Sequence, residues 1–341
     1  MRTIIIEKYG SPDVLKIVNQ KDLVADEGEV IISVNKAGVN FADLMMRLGI
    51  YGKQAPKTPF TPGYEVSGII SSIGPGVHNF SVGQRVVALT GINGYSEEVK
   101  VPVNQVVGIG NDVSFEAAAA MPVTYLTAFH MLVELGKIRE GDTVLIHHAA
   151  GGVGTAAFQI AKAYNAGIIF GVASSTKKEF VEKLGMRFID RNSEDFVEVV
   201  KRETNGAGVH HVLDPVGGQH LRKSFKSLRS GGKLYSFGGS SFVKGPKIFK
   251  LAALWRLIRS PKFSPLEMIG KNKAIFGVHM GTIKDFDLMR NEIEIIVQML
   301  NQKKIEPIID KIFNFKDVAE AHHYIHDRKN RGKVLLDFTS D

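Results

Sequence analysis

The chain contains no cysteine among its 341 residues. This absence excludes disulfide bonds and any zinc or iron–sulfur site that depends on thiolate ligands. The chain also lacks an uninterrupted apolar run near the ~20 residues that a membrane-spanning helix needs. Its first eight residues already carry charged side chains, which is atypical of a signal peptide. We therefore predict a cytoplasmic protein without a thiol-based metal centre.

The composition is otherwise that of a soluble globular protein, with 44% hydrophobic and 23% charged residues. Its length suggests about two domains. The formal net charge of +8 fits either a solvated basic surface or an affinity for anionic ligands. No basic strip is interleaved with aromatic residues, so we do not expect nucleic acid as a partner.

Two sequence textures divide the chain. Short β-rich segments punctuated by glycine fill residues 1 to about 110, whereas strand and helix patterns alternate from Ser114 onward. Such alternation is typical of a doubly wound parallel sheet. We predict a β-rich domain over 1–123, a dinucleotide-binding domain over 124–280 with an insert at 243–271, and a return to the first domain over 281–341. Residues 65–73, 187–190, 209–214 and 232–237 are predicted as strands, and residues 125–136 and 286–301 as helices.

The second domain is organised around residues 141–154. Residues 143–147 form a β-branched, apolar run suited to a buried parallel strand. A turn of small residues follows, and a helical pattern begins at Thr155. Glycines in such a turn let backbone N–H groups approach a pyrophosphate, and the helix N-terminus favours negative charge. This strand–turn–helix order predicts a dinucleotide site.

The end of the next predicted strand indicates which dinucleotide binds. NAD-preferring sites usually place Asp or Glu about 20 residues beyond the glycines. Here Ser174 is followed by Lys177 and Lys178, and no carboxylate stands at that place. Cations at a helix N-terminus oppose the helix dipole, so a bound phosphate explains them better than solvent does. We predict NADPH as the cofactor, with Ser174 and Lys178 on its 2′-phosphate.

Three adjacent histidine pairs, at positions 147–148, 210–211 and 322–323, are the obvious candidates for metal ligands. Adjacent residues of a strand face opposite sides, so such a pair is poorly placed to share an ion. We therefore predict structural histidines and no metal site.

Several segments together resemble one known family. They are Ala-Gly-Val-Asn-Phe-Ala-Asp at 37–43, Pro-Gly-Tyr-Glu-Val-Ser-Gly at 62–68, Gly-Gln-Arg-Val at 83–86, Ala-Ala-Gly-Gly-Val-Gly at 149–154 and Gly-Lys-Val-Leu at 332–335. With these motifs the chain resembles the zinc-free quinone oxidoreductase branch of the medium-chain dehydrogenase/reductase superfamily. Residues 214–218, 245–247, 276–280 and 304–310 are similar to its vesicle amine transport protein-like subgroup.

The resemblance implies a GroES-like first domain and a Rossmann second domain, with the cofactor in a cleft between them. It also implies a homodimer formed by pairing Rossmann sheets at an edge. The family often has a tyrosine where this chain has Arg191, a departure that adds another phosphate ligand. The cofactor-binding positions are then Asn40, Phe41, Thr124, Ala150, Gly151, Gly152, Val153, Gly154, Ser174, Lys178, Arg191, Val216, Gly239, Ser240 and Val278.

The family likeness and the missing thiolates favour hydride transfer to an electrophile that needs little acid assistance. Quinones and α,β-unsaturated carbonyls are such electrophiles, and the nicotinamide carries the chemistry. The resemblance implies that Asn40 and Asp43 lie beside the nicotinamide, and these two residues are catalytic candidates. The third candidate is Tyr51, whose phenol can donate a proton or hydrogen bond to the substrate oxygen. The alternative for Tyr51 is a loop tyrosine without a chemical role.

Two other functions stay open. Residues 246–259 have the pattern of a basic amphipathic helix that contains the only tryptophan, Trp255. Such a helix packs on the protein or a subunit partner, or it contacts an anionic membrane surface in a vesicle-type protein with little turnover. The third possibility is an enoyl-thioester reductase, since related modules share the motif at 149–154.

Overall fold

The chain leaves its first structural unit after Leu126 and returns to it at Ile283. In the computed structural model, which describes residues 1–51, 55–242 and 261–340, one unit comprises Met1–Leu126 with Ile283–Asp341, and the other comprises Thr127–Thr282. The amphipathic segment at 246–259 lies outside the described residues. Of the helices in the described part, none is both long and apolar enough to cross a bilayer.

Strands and helices follow in chain order. The first unit begins with β1 (Arg2–Ile6), β2 (Leu15–Asn19), β3 (Glu29–Val39), α1 (Phe41–Arg47), β4 (Glu65–Ile73), β5 (Arg85–Leu89), β6 (Glu98–Pro102), β7 (Val106–Gly108) and α2 (Phe115–Ala119). The chain passes from the first unit to the second within α3 (Pro122–Phe129). The second unit contains β8 (Val144–His147), α4 (Gly152–Ala163), β9 (Ile169–Ala173), α5 (Lys178–Leu184), β10 (Arg187–Asp190), α6 (Phe196–Glu203), β11 (Val209–Asp214), α7 (His220–Ser227), β12 (Leu228–Ser236), α8 (Pro265–Lys271) and β13 (Ala274–Gly277). The returning segment adds α9 (Phe286–Asn301), β14 (Ile309–Asn314), α10 (Val318–His326) and β15 (Lys333–Asp337). Short 3₁₀ turns occupy Pro12–Val14, Val103–Gln105, Ser175–Lys177, Ser240–Phe242, Met280–Thr282 and Phe315–Asp317.

The sheet of the first unit explains why the chain returns to it. Its strands run in the order β14-β15-β3-β4-β5-β7, and β6 also pairs with β3. The C-terminal β15 pairs antiparallel with β3, with Val334 opposite Val39. The eleven residues of β3 also pair with β4 through two register shifts, which bend the sheet around an apolar core. The end of β3 is therefore flanked by β4 on one side and by the last strand on the other.

The sheet of the second unit is parallel throughout, in the order β10-β9-β8-β11-β12-β13. The strand order reverses between β8 and β11, and ligands of such sheets bind at the carboxyl ends of the strands near this point. The predicted combination of a β-rich domain with a doubly wound parallel sheet is confirmed.

Three predicted boundaries were wrong. The helix expected from Thr155 begins at Gly152, because the last two glycines of the turn already have helical backbone. The helix expected at 125–136 begins at Pro122, because proline fits the first helical turn, and it widens into a π-helix over His130–Leu135. The strand expected at 232–237 begins at Leu228, because Leu228 already pairs with Val209 before a register shift.

Candidate active site

The glycine turn after β8 has the backbone of an anion-binding loop. His148 has a positive φ of 54°, and the Gly151 N–H donates to its carbonyl at 2.9 Å, so the chain reverses directly into α4. A Cβ on Gly154 would lie 2.5 Å from the His148 carbonyl oxygen and 2.6 Å from that of Ala149. Only glycine tolerates this approach. The first turn of α4 therefore presents its N–H groups at the carboxyl edge of the sheet.

The predicted phosphate ligands lie at the ends of β9 and β10. Ser174 directly follows β9, and Lys178 is the first residue of α5. Arg191 directly follows β10, and its N–H donates to the carbonyl of Ala173, the last residue of β9, at 2.9 Å. Lys178 is 59% exposed and lies 3.9 Å from Glu182, a loose surface pair. No carboxylate occupies the end of β9, where an NAD site usually has one.

Backbone hydrogen bonds join the loops that follow β11, β12 and β13. The Ser240 N–H donates to Pro215 at 3.0 Å, and the Val278 N–H donates to Ser236 at 2.9 Å. Gly239 precedes Ser240 in the same loop. The Ser241 N–H donates to the carbonyl of Val216 at 3.0 Å, which brings that predicted residue into the same group.

Asp214, which was not predicted as a site residue, holds the loop that follows β11. Its Oδ1 accepts hydrogen bonds from the N–H groups of Val216 at 2.7 Å and Gly217 at 3.1 Å. Burial acts to raise the pKa of Asp214, but the hydrogen bond from His220 and the charges of His220 and His147 hold it well below its ordinary value. The loop is thus anchored on a buried carboxylate.

In the first unit, Asn40 and Asp43 lie together where β3 meets α1. The Asn40 N–H donates to Asp43 Oδ2 at 2.8 Å, and this oxygen also accepts from the Tyr95 hydroxyl at 3.1 Å. The Gly63 N–H donates to Asp43 Oδ1 at 3.1 Å. Burial raises the pKa of the fully enclosed Asp43 to about 7, although the hydrogen bonds and the charge of Lys333 oppose the shift.

A buried ion pair fixes the Asn40 side chain. Lys333 Nζ donates to Asn40 Oδ1 at 2.6 Å and forms an ion pair with Glu65, and Asn40 Nδ2 donates to Glu65 Oε1 at 2.7 Å. The second Glu65 oxygen accepts from the Val123 N–H at 2.6 Å. Glu65 and Lys333 were missed as site residues, although both stand in motifs that support the family resemblance. Gly38 leaves room for the Glu65 side chain, because a Cβ at position 38 would lie 2.2 Å from Glu65 Oε1.

The three remaining predicted residues of the first unit have different settings. Tyr51 is half-buried, and its ring packs edge-on against Tyr64 at 6.3 Å between centroids. Burial, and to a lesser extent the charge of Asp43, raises the pKa of Tyr51, which keeps the phenol protonated at neutral pH. Phe41 is exposed at the start of α1, whereas Thr124 is buried and donates its hydroxyl proton to the Ala120 carbonyl at 2.7 Å.

The adjacent residues His210 and His211 share the carboxylate of Asp142. His211 lies 3.0 Å from Asp142 Oδ2 and 3.0 Å from the Tyr235 hydroxyl, while His210 contacts Thr143 and lies 3.4 Å from Asp142 Oδ1. His322 accepts from Arg47 at 3.3 Å. Within the described residues, the one group of three histidine or carboxylate donors that converge combines His147 with two residues far from it in sequence, Asp214 and His220.

Comparison with known families agrees with this two-part architecture. The profile described as "Alcohol dehydrogenase GroES-like domain" matches residues 26–129, and the profile described as "Zinc-binding dehydrogenase" matches residues 152–298. The first profile spans β3 to β7 of the first unit, and the second spans β9 to β13 of the parallel sheet.

Individual relatives match nearly the whole chain. The human synaptic vesicle membrane protein VAT-1 homolog-like is 36% identical over 99% of this chain and 81% of its own length. A probable quinone oxidoreductase from Schizosaccharomyces pombe is 30% identical over 97% of this chain and 95% of its own length. Escherichia coli quinone oxidoreductase, solved as a complex with NADPH, superposes with a TM-score of 0.86 at 27% identity, over 99% of this chain and 100% of that structure.

Proposed function

Because the chain belongs to the medium-chain dehydrogenase/reductase superfamily, we propose that it is an NADPH-dependent, zinc-independent oxidoreductase that delivers a hydride to a quinone or an α,β-unsaturated carbonyl. The observation that carries this proposal lies at the end of β9. Ser174 occupies the place of a ribose-binding carboxylate, and Lys178 and Arg191 stand at the same sheet edge. A 2′-phosphate suits these residues, whereas a carboxylate would repel it.

The carboxyl edge of the parallel sheet fits the rest of the dinucleotide. A side chain on Gly154 would collide with two backbone carbonyls directly after β8, and such close packing of helix on strand is the role of the last glycine in a dinucleotide-binding turn. The first turn of α4, with the segment Ala150, Gly151, Gly152, Val153 and Gly154, would hold the pyrophosphate. Val216, Gly239, Ser240 and Val278 would contact the nicotinamide end, together with Asn40, Phe41 and Thr124.

The donors available in the first unit support the proposed independence from catalytic zinc. The chain has no thiolate, and Glu65 is already neutralised by Lys333. Asp43 is enclosed and accepts three hydrogen bonds. Neither carboxylate is therefore placed to ligate an ion.

The first unit would orient the substrate and supply a proton. The bound nicotinamide supplies the hydride, so the remaining requirement is a proton or hydrogen bond for the substrate oxygen. The Tyr51 phenol stays protonated at neutral pH and is the donor that we assign. Asn40 is held in one orientation by Lys333 and Glu65, which suits a residue that positions a ring.

A screen of NADPH oxidation tests the reaction class. We expect turnover with quinones and enones, and slower turnover with NADH in place of NADPH. Turnover confined to enoyl thioesters would support an enoyl-thioester reductase instead. Equal turnover with NADH and NADPH would overturn the cofactor assignment.

A Tyr51→Phe substitution tests the proton donor. We expect kcat to fall at least about tenfold, with KM for NADPH unchanged, because the phenol acts only on the substrate oxygen. Tyr9→Phe, which changes a surface tyrosine of the same unit, is the matched control. Wild-type kcat in Tyr51→Phe would identify Tyr51 as a loop residue without a chemical role.

The vesicle-protein relatives favour a second candidate function, an NADPH-binding protein that contacts membranes with little turnover. Residues 246–259, with the only tryptophan of the chain, would be the contact. This candidate predicts that the protein sediments with anionic liposomes and that Trp255→Ala abolishes sedimentation. Turnover without liposome binding would reject it.

We also propose a homodimer formed through the edge of the parallel sheet. Within the described residues, β13 ends the strand order, and its outer edge has no further strand beside it. Sedimentation velocity at micromolar concentration should give the mass of two chains. A monomer at these concentrations would reject the dimer.

A further inference from the structure

A cluster of nitrogen and oxygen donors lies in the second unit where the strand order reverses. His147 is the last residue of β8, Asp214 is the last residue of the neighbouring β11, and His220 is the first residue of α7. One nitrogen from each imidazole and one carboxylate oxygen all lie within 4.8 Å of one another. The three residues are far apart in sequence, so the fold itself assembles the cluster.

Ser224, one turn further along α7, completes the group. Its hydroxyl donates to Asp214 Oδ2 at 2.6 Å and lies 3.2 Å from His147 Nε2. His220 Nδ1 lies 2.8 Å from the same Asp214 oxygen. Four polar groups therefore surround one small volume.

We propose that His147, Asp214 and His220 form a binding site for a divalent transition-metal ion such as Zn²⁺, with the Ser224 hydroxyl or a water as the fourth ligand. Two imidazoles and a carboxylate are ligands that zinc and its neighbours in the first transition row accept. Asp214 supplies the negative charge that offsets part of the charge of the ion.

The geometry needs only a small adjustment to hold the ion. Zinc–nitrogen and zinc–oxygen bonds are about 2.0–2.2 Å long, so ligand atoms of a tetrahedral site lie somewhat farther apart than hydrogen-bonded ones. The ion would take the place of the proton between His220 Nδ1 and Asp214 Oδ2. His220 can make this movement because its side chain is 26% exposed, whereas that of Asp214 is fully buried. The exposed side of His220 also gives the ion a path of entry.

The surroundings resemble the outer shell of a metal site. Asp214 Oδ1 accepts two backbone hydrogen bonds, from Val216 and Gly217, which orient the carboxylate. The ring of Phe196 packs against His147 at 4.7 Å and against His220 at 5.2 Å between centroids. An apolar wall and an oriented carboxylate both favour retention of a bound ion.

Metal titration of the untagged full-length chain, first treated with a chelator, tests the site. We expect one equivalent of Co²⁺ to give visible ligand-field absorption and one equivalent of Zn²⁺ to displace it, with a rise in Tm. Because the chain has no cysteine, any such band arises from nitrogen and oxygen ligands. His220→Gln should weaken binding by more than about tenfold, since even outer-shell losses change metal affinity by 10–100-fold.

The matched control is His78→Gln, which removes an exposed loop histidine of the first unit. It should bind the ion as the wild type does. The proposal is overturned if the wild type shows no saturable one-to-one binding, in which case the cluster is a hydrogen-bond network only. It is also overturned if His220→Gln binds like the wild type, or if His78→Gln loses binding to the same extent. Circular dichroism of each variant establishes that it is folded. If His220→Gln does not fold, His220→Asn, whose shorter side chain still carries a polar group beside Asp214, takes its place and should show the same loss of binding.

Discussion

Lysine side chains in the two units occupy opposite environments. Lys333, in the first unit, is 3% exposed and is paired with Glu65 and Asn40. Lys178, in the second unit, is 59% exposed, and its nearest carboxylate lies 3.9 Å away. The first lysine is neutralised within the protein, whereas the second is largely solvated and stands at a helix N-terminus, where a cation opposes the dipole.

This difference distinguishes residues that stabilise the folded protein from residues that we expect to bind a ligand. The buried network around Lys333 orders Asn40 and the start of α1, so its disruption should lower stability before it affects binding. The exposed cations of the second unit contribute little to stability, as is usual for surface charges, so their removal should lower the affinity for an anionic ligand. The following three predictions test this division, from the largest expected effect to the smallest.

Lys333→Met should lower the free energy of unfolding by about 3–5 kcal/mol, because it leaves the charge of Glu65 buried without a compensating cation. Urea denaturation measures the change. Lys16→Met, at an exposed position in β2, is the control and should stay within about 0.5 kcal/mol of the wild type. The double variant Glu65→Gln with Lys333→Met should recover part of the loss. If Lys333→Met is as stable as the control Lys16→Met, the ion pair between Glu65 and Lys333 does not stabilise the first unit.

The pH dependence of stability should reveal Asp43. Its pKa is about 7 in the folded chain and 3.8 in the reference state, so the folded state binds more protons between these values. The free energy of unfolding should therefore fall as pH rises from about 4 to 7, by roughly 1–4 kcal/mol, and be level above this window. Asp43→Asn removes the titration. If the stability difference between wild type and Asp43→Asn is constant from pH 4 to 8, the carboxyl is not perturbed by burial.

Lys178→Ala should weaken NADPH binding about tenfold, or roughly 1.4 kcal/mol, and leave NADH binding unchanged, because only NADPH carries the 2′-phosphate. Fluorescence titration with both dinucleotides measures this. The unfolding free energy should change by less than about 0.5 kcal/mol. Lys183→Ala, near the other end of the same helix, is the matched control. An equal loss for NADH, or no loss for NADPH, would remove Lys178 from the cofactor site.

Much of the local structure was predictable because neighbouring residues decide it. The bounds of β4, β10, β11 and α9 agree residue for residue with the sequence patterns. Each is an apolar or amphipathic run bounded by turn residues, so the period of the hydrophobic pattern is sufficient to predict the type of element and its bounds. The start of α3 was predicted wrongly because proline breaks a helix in its interior but is favoured at its first position. The local sequence does not distinguish these two roles of Pro122.

Partners far apart in the chain were not predictable in the same way. Glu65 and Lys333 are 268 positions apart, and they meet because β4 and β15 both pair with the end of β3. His147 and Asp214 meet because β8 and β11 are neighbours across the point where the strand order reverses. The sequence segments that contain these residues do not indicate which strands will be neighbours in the sheet.

The sequence by itself determined the glycine turn with the strand before it and the helix after it. It also determined that the chain has no thiolate and that no carboxylate stands at the end of β9. These features depend on residues within a few positions of one another, where backbone sterics and the helix dipole act directly. Only the tertiary structure decided which charges are buried together, that Asp43 is enclosed, and that two histidines and an aspartate converge. Burial and strand pairing are properties of the whole sheet, so the electrostatics of the site arise only once the sheets have formed.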